Sequence, residues 1–454
     1  MKSKEIEKQV LKKIKPNSKQ RQRLKETVEK IEDKLKKSIR KQDIPIKIEL
    51  VGSIAKDTYL IDSLDIDLFL SYPPTISKQK IADKTIQIGK KILERWTISY
   101  AEHPYIKGFF DGYQIELVPC YRVEDISQKM SAVDRTPLHT EYIKKNLNEK
   151  QKDEVRLLKK FLKGIGCYGA ENKIRGFSGY LCEILVLKYK NFRNLLKNSA
   201  EWKKGIKISL SDEKSPEFDD PLTFIDPVDS ERNVASALSE KNFDLFKKAS
   251  QSYLKQPRIT FFYPNKIKQW KLSKIKKNLE QQNKKYVGVE IPKPKIIDEN
   301  LYPQIRKACR SVKEKSEEKG FKILDVDFYI DEKQKKIYII IKTNKKPLPL
   351  AYTHMGPPVS LQKNKQEFVK KWKNNSRLKK GPFEKNGRIY VKVKRKHRRI
   401  EGFLEDNFPD LSLGKNIDKK VEKKYKILKQ KELIKENLKV FWTKHLDKKM
   451  PWER

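Results

Sequence analysis

Residues 51–58 read VGSIAKDT, and after a short gap residues 65–70 read DIDLFL. In a β-strand, side chains two residues apart project from the same face, about 6.5 to 7 Å from each other. The second stretch therefore predicts a strand that presents Asp65 and Asp67 together while its apolar residues face a core. Two carboxylates on one rigid surface are suited to binding a pair of hard cations.

A third carboxylate follows later in the chain. Residues 115–119 read IELVP, so Glu116 is a lone acid in an otherwise apolar strand. Leaving such a charge buried without a counter-ion would be costly. We therefore interpret Glu116 as the third metal ligand, beside the two aspartates.

The same spacing of two aspartates occurs again at Asp325 and Asp327. This second pair has no Gly-Ser turn before it and no isolated strand carboxylate after it. We therefore predict that it lies on the solvated face of an edge strand.

The turn formed by Gly52 and Ser53 suits the binding of phosphate. Glycine permits close approach of the backbone, and Ser53, with exposed N–H groups at the start of a helix, can hold phosphate oxygens. Lys56, one turn later, can add a positive charge. Together with the acids, these residues predict nucleotidyl transfer in which one metal ion activates a 3′ hydroxyl and the other neutralises the leaving pyrophosphate.

The surrounding pattern predicts a mixed α/β catalytic domain over residues 1–140. Apolar residues recur at helical spacing over residues 18–40, which indicates an amphipathic helix with a Lys-rich outer face. Alternating apolar residues over 46–50 indicate a strand. Two apolar runs flank Asp111 and Gly112, and this dipeptide between such runs is a strong hairpin signal.

The remainder of the chain predicts two further domains. Residues 141–257 predict a mainly helical domain. In it, an apolar stripe over residues 155–162 ends at Gly164, and residues 180–192 supply another apolar helix. Strands return after this segment, so residues 258–454 predict an α/β C-terminal body and tail.

The C-terminal domain begins with the order strand, helix, strand, strand over residues 286–343. This order resembles part of an RNA-recognition-type α/β sandwich. Residues 347–381 indicate turns and one short helix, and a basic run follows at residues 392–399.

The charge of the chain predicts a polyanionic partner. Lys and Arg number 105 against 60 Asp and Glu, which gives a formal net charge of +45 over 454 residues. Such an excess favours nucleic-acid binding. The surplus is spread along the chain and dominated by lysine, so a compositional bias of a thermophile or an AT-rich genome remains an alternative source.

The cysteines predict neither a disulfide framework nor a zinc site, because they lie far apart without interleaved histidines at ligand spacing: Cys120, Cys167, Cys182 and Cys309. They are interpreted as reduced, mostly buried thiols. The first residues are charged, and no window approaches 18 uncharged apolar residues. We therefore expect a cytoplasmic protein that does not span a membrane.

The site residues resemble the nucleotidyltransferase superfamily that includes DNA polymerase beta and poly(A) polymerases. The similarity then extends to the archaeal, class I family of CCA-adding enzymes, and it covers essentially the whole chain. It is carried by SAVDRTPLH at 131–139, EVRLLK at 154–159, YGAE at 168–171, RGFSGYLCE at 175–183, DPVD at 226–229, RNVA at 232–235, HMGP at 354–357 and LGK at 413–415.

This resemblance implies an α+β multidomain fold with a mixed-sheet palm like that of polymerase beta, a mainly α second domain and an RNA-recognition-like α/β C-terminal region. It implies template-independent addition of C, C and A from CTP and ATP to the 3′ end of tRNA, with two Mg²⁺ ions. The basic C-terminal half is expected to hold the acceptor stem and elbow of tRNA through their backbone. Association as a homodimer is left open.

The resemblance also implies which residues contact the incoming nucleotide. With Gly52, Ser53 and Lys56, these would be Lys159 and His139 on the triphosphate, Tyr168 near the sugar and Arg232 at the base. Each of the last three has a structural alternative: His139 as a surface residue, Tyr168 as a core residue, and Arg232 as a partner of Asp226 or Asp229.

Two positions depart from the pattern of the family. Lys56 stands where Arg is common, so the charge is kept and the bidentate fork is lost. Glu116 stands where Asp is common, which adds a methylene to a proposed ligand. We expect retained activity, and the sequence leaves the effect of Glu116 on metal preference open.

Two other functions share parts of this pattern. A poly(A) polymerase-like terminal transferase would have the same turn and acids but would add A without a limit. A catalytically inactive RNA-binding protein on the same fold would need only the basic composition. The three intact acids favour an enzyme.

Overall fold

The computed structural model describes residues 2–40, 43–100, 102–211, 215–422 and 424–454. The chain forms two compact units, one of Met1–Lys266 with Lys449–Arg454 and one of Ile267–Lys448. Among the described residues, no helix is long and apolar enough to cross a membrane. The four cysteines are buried and free, as the sequence predicts.

The first unit opens with a five-stranded mixed sheet, ordered β1-β2-β5-β4-β3. Strand β2 pairs antiparallel with β1 and parallel with β5, and this places β2 inside the sheet. The elements of this part are α1 (Lys2–Ile14), α2 (Ser18–Ile39), β1 (Lys47–Val51), α3 (Gly52–Ala55), β2 (Asp65–Tyr72), α4 (Lys78–Ile92), β3 (Glu94–Tyr100), β4 (Pro104–Phe110) and β5 (Tyr113–Tyr121).

Two local predictions for this sheet domain are confirmed. Helix α2 begins at an Asn17 cap that exchanges hydrogen bonds with Gln20, and its predicted apolar stripe is buried. Strands β4 and β5 are joined by Asp111 and Gly112, which have φ angles of 50° and 81°. Positive φ at both turn residues is the requirement that favours Asp-Gly in tight hairpins.

The second part of the first unit is mainly helical, which also agrees with the sequence. Its only regular strands in the described residues are a short parallel pair, β6 and β7. The elements are α5 (Arg135–Asn146), α6 (Glu149–Ile165), α7 (Gly179–Tyr189), α8 (Phe192–Ala200), β6 (Ile206–Ile208), β7 (Leu222–Phe224) and α9 (Glu240–Lys255).

Two predicted boundaries in the helical part are wrong. Helix α6 continues through Gly164 and is capped by Gly166, whose φ of 81° is left-handed. A Cβ on Gly164 would lie 2.0 Å from the carbonyl oxygen of Phe261, so this glycine allows close packing and does not end the helix. The apolar segment at 180–192 is divided between α7 and α8, with Lys190 at φ 71° between them.

Both ends of the described chain pack on the helical core. Val10 and Ile14 of α1 are buried in the same apolar cluster as α6. Near the other end, Trp452 stacks on Phe261 with ring centroids 5.1 Å apart. The helical core is therefore built from residues distant in sequence.

The second unit contains the predicted order strand, helix, strand, strand within a four-stranded antiparallel sheet, β14-β8-β10-β9, and a separate three-stranded sheet, β11-β13-β12. Its elements are α10 (Leu272–Gln281), β8 (Lys284–Pro292), α11 (Asp298–Glu318), β9 (Ile323–Asp331), β10 (Lys336–Asn344), β11 (Ala351–Pro358), α12 (Gln362–Lys373), β12 (Leu378–Lys385), β13 (Arg388–Lys394), α13 (Ile400–Asn407), α14 (Lys415–Val421), β14 (Lys426–Lys429) and α15 (Lys439–Leu446).

The pair Asp325 and Asp327 lies on β9, an edge strand, and Asp325 is exposed, as predicted. The expectation of turns and one helix over residues 347–381 is wrong in part, because the segment also contains β11 and the start of β12. These two strands are the edges of their sheet. Edge strands tolerate the proline and glycine residues that suggested turns.

Gly164 provides a test of this packing. Alanine is favoured over glycine within a helix by about 1 kcal/mol, but here the added methyl group would meet backbone, so we expect Gly164→Ala to destabilise the first unit by about 2 kcal/mol or more. The control is Gly402→Ala in α13, where the nearest atom to a Cβ is His397 Nδ1 at 3.5 Å, so the helix preference should dominate. Thermal unfolding of both variants decides the point; a Gly164→Ala protein as stable as the parent would contradict the packing.

Candidate active site

The carboxylates on the sheet are brought together by strand register. Asp67 on β2 lies opposite Val51 at the end of β1 and opposite Glu116 on β5. Asp65, two residues earlier on the same face of β2, is exposed, whereas Asp67 is half-buried. The three predicted acids therefore lie on one face of two adjacent strands.

Gly52 shapes the position of the Asp67 carboxylate. This glycine has a left-handed φ of 70°, and a Cβ on it would lie 2.1 Å from Oδ2 of Asp67. Any side chain at this position would displace the carboxylate. The helix that follows, α3, is only four residues long, so Ser53 lies in a short turn rather than at the start of an extended helix.

The electrostatic environment of Asp67 favours a bound cation. Burial, followed by the nearby charges of Glu116 and Asp65, raises the pKa of Asp67 to about 7. A divalent cation beside this carboxylate would stabilise its charged form. Oxygen donors of this kind are the ligands that Mg²⁺ prefers.

No set of three His, Cys, Asp or Glu side chains in the described part of the chain converges closely enough to hold a metal ion by itself. Mg²⁺ commonly binds through one or two carboxylates and fills its other positions with water and substrate phosphates. The open pair of Asp65 and Asp67 fits that form of binding better than a closed cage.

Glu116 has a counter-ion from the chain itself, on the neighbouring strand β4. Lys107 lies directly opposite it on β4 and donates a hydrogen bond from Nζ to Oε1 over 2.6 Å. The charge of Glu116 is therefore compensated by Lys107, and only the position of Glu116 opposite Asp67 supports a role as metal ligand. The two-residue turn at Asp111 and Gly112 fixes the hairpin register, so Lys107 could have been found from the sequence.

A cavity of about 300 Å³ gathers most of the predicted nucleotide-binding residues. Glu116, His139 and Arg232 are not among the residues that line it. The lining consists of Gly52, Ser53, Lys56, Ser63, Asp65, Asp67, Lys159, Tyr168, Gly179, Tyr180 and Glu183.

One wall of the cavity is a buried cluster of charges around Glu183 of α7. Its Oε2 accepts from Lys56 Nζ over 2.5 Å, and its Oε1 accepts from the Thr58 hydroxyl over 2.6 Å. The Nζ of Lys159 on α6 donates to the same Oε1 over 3.3 Å and to both oxygens of Thr58. Burial alone would raise the pKa of Glu183, but the two lysines outweigh it and hold the pKa below its usual value.

The segment that follows α3 is held to the helical part by a second buried cation. Arg156 of α6 is 1% exposed, and its guanidinium donates to the carbonyl of Tyr59 over 3.1 Å and to the carbonyl and carboxylate of Asp57, each over 2.6 Å. These bonds fix the backbone beside Lys56. The segment after α3 and the helices α6 and α7 therefore form one wall of the cavity together.

His139 and Arg232 meet at a second buried carboxylate, Asp226. His139 Nε2 lies 2.8 Å from Asp226 Oδ2, and Arg232 Nη1 donates to the same oxygen over 2.8 Å. The Tyr180 hydroxyl donates to Oδ1 over 3.0 Å, and its ring stacks on the His139 ring at 3.9 Å. His139 is thus not a surface residue, Arg232 has the predicted structural partner, and both connect to the cavity through Tyr180.

The sequence reasoning missed the role of Glu183. A signal was present, because Glu183 is the one acid within the apolar helix GYLCEILVLKY at 179–189. A carboxylate on a helix buried this fully requires cationic partners. Which lysines supply them could not be read from spacing, because Lys56 and Lys159 belong to other elements.

Family profiles match three consecutive segments of the chain. A nucleotidyltransferase domain matches residues 29–139, the second domain of tRNA nucleotidyltransferase matches 153–263, and the C-terminal domain of CCA-adding enzyme matches 282–430.

Curated relatives match over nearly the full length. The CCA-adding enzyme of Methanothermobacter thermautotrophicus is 34% identical over 430 residues, which cover 92% of each chain. That of Haloarcula marismortui is 33% identical and covers 85% of this chain and 86% of the relative. That of Methanocaldococcus jannaschii is 35% identical and covers 91% and 93%.

The Asp226 network makes a prediction about pH. Burial would raise the pKa of Asp226, but the bonds from His139 and Arg232 outweigh it and lower the pKa to about 2. Because the folded pKa lies below the ordinary value, the stability that ionised Asp226 contributes is full above about pH 4 and is lost as the pH falls toward 2. We expect Asp226→Asn to cost about 2 to 4 kcal/mol at pH 7, and we expect that deficit to shrink below pH 4.

Denaturant unfolding at pH 7, 4 and 3 measures this deficit. The exposed Asp244 on α9 offers a matched control, since Asp244→Asn should unfold like the parent at each pH. A deficit for Asp226→Asn that stays constant from pH 7 to 3 would contradict the role of the charge.

Proposed function

The chain belongs to the family of CCA-adding enzymes, and we propose on this basis that it completes tRNA 3′ ends by adding C, C and A from CTP and ATP. The observation that carries the proposal is the similarity to curated CCA-adding enzymes over 92% of the chain. The cavity with Asp65 and Asp67 on one side and lysines on another supplies the features that nucleotidyl transfer needs.

We propose that Asp65, Asp67 and Glu116 are the catalytic acids and hold two Mg²⁺ ions. Divalent cations at this position would lower the pKa of the attacking 3′ hydroxyl and neutralise the leaving pyrophosphate. The chain contributes by fixing the acids on paired strands before substrate arrives. The oxygen donors and the raised pKa of Asp67 support this assignment.

The nucleotide is proposed to lie in the cavity. Gly52, Ser53 and Lys56 line it near the carboxylates and would contact the triphosphate, and Tyr168 would contact the sugar. Lys159 lines the same cavity and would also contact the triphosphate. In this structure all three donors of its ammonium group point to Thr58 and Glu183.

His139 and Arg232 are proposed to reach the nucleotide from the Asp226 network. His139 would contact the triphosphate, and Arg232 would help to select cytosine or adenine, since no nucleic-acid template is used. Arg232 is half-buried and has one ion pair with Asp226. Its guanidinium has five donors in total, so donors remain for a base.

The domain roles follow the same division. We propose that residues 1–140 carry catalysis, residues 141–257 bind nucleotide, and residues 258–454 hold the acceptor stem and elbow of tRNA through its backbone. The net charge of +45 supports a polyanionic substrate. Action in the cytoplasm is a further expectation of the sequence, which localisation can test, and a measurement of molecular mass in solution can test whether the chain forms a homodimer.

The direct test of function uses the purified chain, Mg²⁺ and tRNA that ends at the discriminator base. With labelled CTP and ATP supplied separately and together, we expect two C and one A to be added, followed by arrest. Binding of tRNA should weaken steeply with salt, because phosphate contacts release counterions. An unlimited A tail would indicate a poly(A) polymerase-like enzyme, and no extension at all would indicate an inactive RNA-binding protein.

The acids are tested by Asp67→Ala. We expect transfer to fall to background while tRNA binding is unchanged, because Asp67 lies at the carboxylate site and the basic surface is untouched. Mg²⁺ should raise the unfolding temperature of the parent by mass action and should have less effect on the variant. Asp325→Ala, in the second aspartate pair, is the matched control; extension by Asp67→Ala at the parental rate would refute the metal assignment.

A further inference from the structure

Glu183 is the most completely buried acid next to the proposed nucleotide cavity. Its side chain has no exposed surface, and its carboxylate contacts Lys56, Thr58 and Lys159. Removing a carboxylate from water has a large cost, which partners must offset. Because Glu183 lines the cavity and binds two lysines, we expect it to do more than fill the core.

The hydrogen bonds of Lys159 show how strongly this cluster restricts it. An ammonium group has three donors. Those of Lys159 point to the Thr58 carbonyl at 3.2 Å, the Thr58 hydroxyl at 3.0 Å and Glu183 at 3.3 Å. With 1% of its surface exposed, Lys159 has one fixed position in the wall.

Lys56 is held from the other side of the same carboxylate. Its Nζ donates to Glu183 Oε2 over 2.5 Å and lies 5.8 Å from the centre of the Tyr180 ring. Lys56 follows the Gly-Ser turn, so this bond also fixes the turn relative to α7. One carboxylate therefore sets the positions of two cations from different elements.

The charge of the cluster has a consequence for a triphosphate. Lys56 and Lys159 share one carboxylate, Glu183, which offsets part of their positive charge; burial lowers the pKa of Lys159, and the charge of Glu183 acts against that lowering. A carboxylate at this position weakens the attraction of the cavity for an anion. It also prevents the lysines from adopting many geometries around that anion.

We propose that Glu183 is a positioning residue of the nucleotide site: it holds Lys56 and Lys159 in one arrangement and limits how tightly the cavity binds a nucleoside triphosphate. This inference rests on the proposed function of the cavity. Interactions that bind substrate and transition state equally do not speed the chemical step, whereas fixed orientation does. Glu183 would thus weaken nucleotide binding while it holds the two lysines in the geometry that the transfer needs.

The experiment compares Glu183→Gln with the parent in two measurements. Equilibrium binding of CTP and of ATP, with Mg²⁺ and without tRNA, should become about threefold or more tighter, because a negative charge has left the cavity wall. The kcat for addition to tRNA should fall about tenfold or more, because the lysines are no longer held. A residue that only supports the fold would lower activity without tightening nucleotide binding.

A second variant keeps the test decisive if the buried lysines destabilise Glu183→Gln. Glu183→Asp retains the charge but shortens the side chain, so it cannot keep all its contacts with Lys56, Thr58 and Lys159. We expect its nucleotide affinity to stay within about twofold of the parent while kcat falls. Parental kcat in this variant overturns the positioning role.

The matched control lies in the second unit, where Glu290 also binds two lysines. Its carboxylate accepts from Lys336 over 2.6 Å and from Lys435 over 3.1 Å. Glu290→Gln should leave nucleotide affinity unchanged without tRNA, and kcat at saturating tRNA should not fall as it does in Glu183→Gln. Folded Glu183→Gln that binds CTP no more tightly than the parent overturns the inference.

The two measurements separate this inference from the proposed function. If the parent binds CTP but does not extend tRNA, the proposed function fails, and the effect of Glu183→Gln on binding still decides the charge argument. If the parent adds C, C and A normally and Glu183→Gln changes neither quantity, only the inference fails.

Discussion

The active-site architecture depends on the buried bonds that hold residues 56–59 against helices α6 and α7. Glu183 binds Lys56 and Thr58, and Arg156 binds the backbone of Asp57 and Tyr59. This segment lies between the Gly-Ser turn and β2, so its position determines where the turn stands relative to the helical wall. Because a buried charge without a partner is costly, loss of the Glu183 carboxylate would deprive Lys56 and Lys159 of their shared ion pair and weaken the wall.

Much of the sheet and the core of the site could be predicted because the relevant signals are local. The period of two in DIDLFL places Asp65 and Asp67 on one face, and the Asp-Gly turn sets the register that brings Lys107 opposite Glu116. Gly52 is also a local signal, although its strict requirement follows from the Asp67 carboxylate against it. Periodicity and turn chemistry therefore predict which side chains share a face.

The remaining features depend on contacts between distant residues, which spacing does not report. Gly164 has the appearance of a helix end, but the backbone of Phe261, almost a hundred positions later, is what requires it. Asp226 likewise collects His139 and Tyr180 from two helices, and Arg232 from its own loop. The family resemblance implied that His139 and Arg232 contact nucleotide. It did not show that both bind Asp226 together with Tyr180.

The ion pairs of two neighbouring lysines bear on the charge of the acids at the proposed cation site. Lys56 and Lys107 are near enough to Asp67 to lower its pKa, yet that pKa still rises to about 7. Each lysine is bound more closely by another carboxylate, Lys56 by Glu183 and Lys107 by Glu116. The lysines beside the acids are thus paired with Glu183 and Glu116, and the negative charge at Asp65 and Asp67 would be available to the divalent ions that we propose bind there.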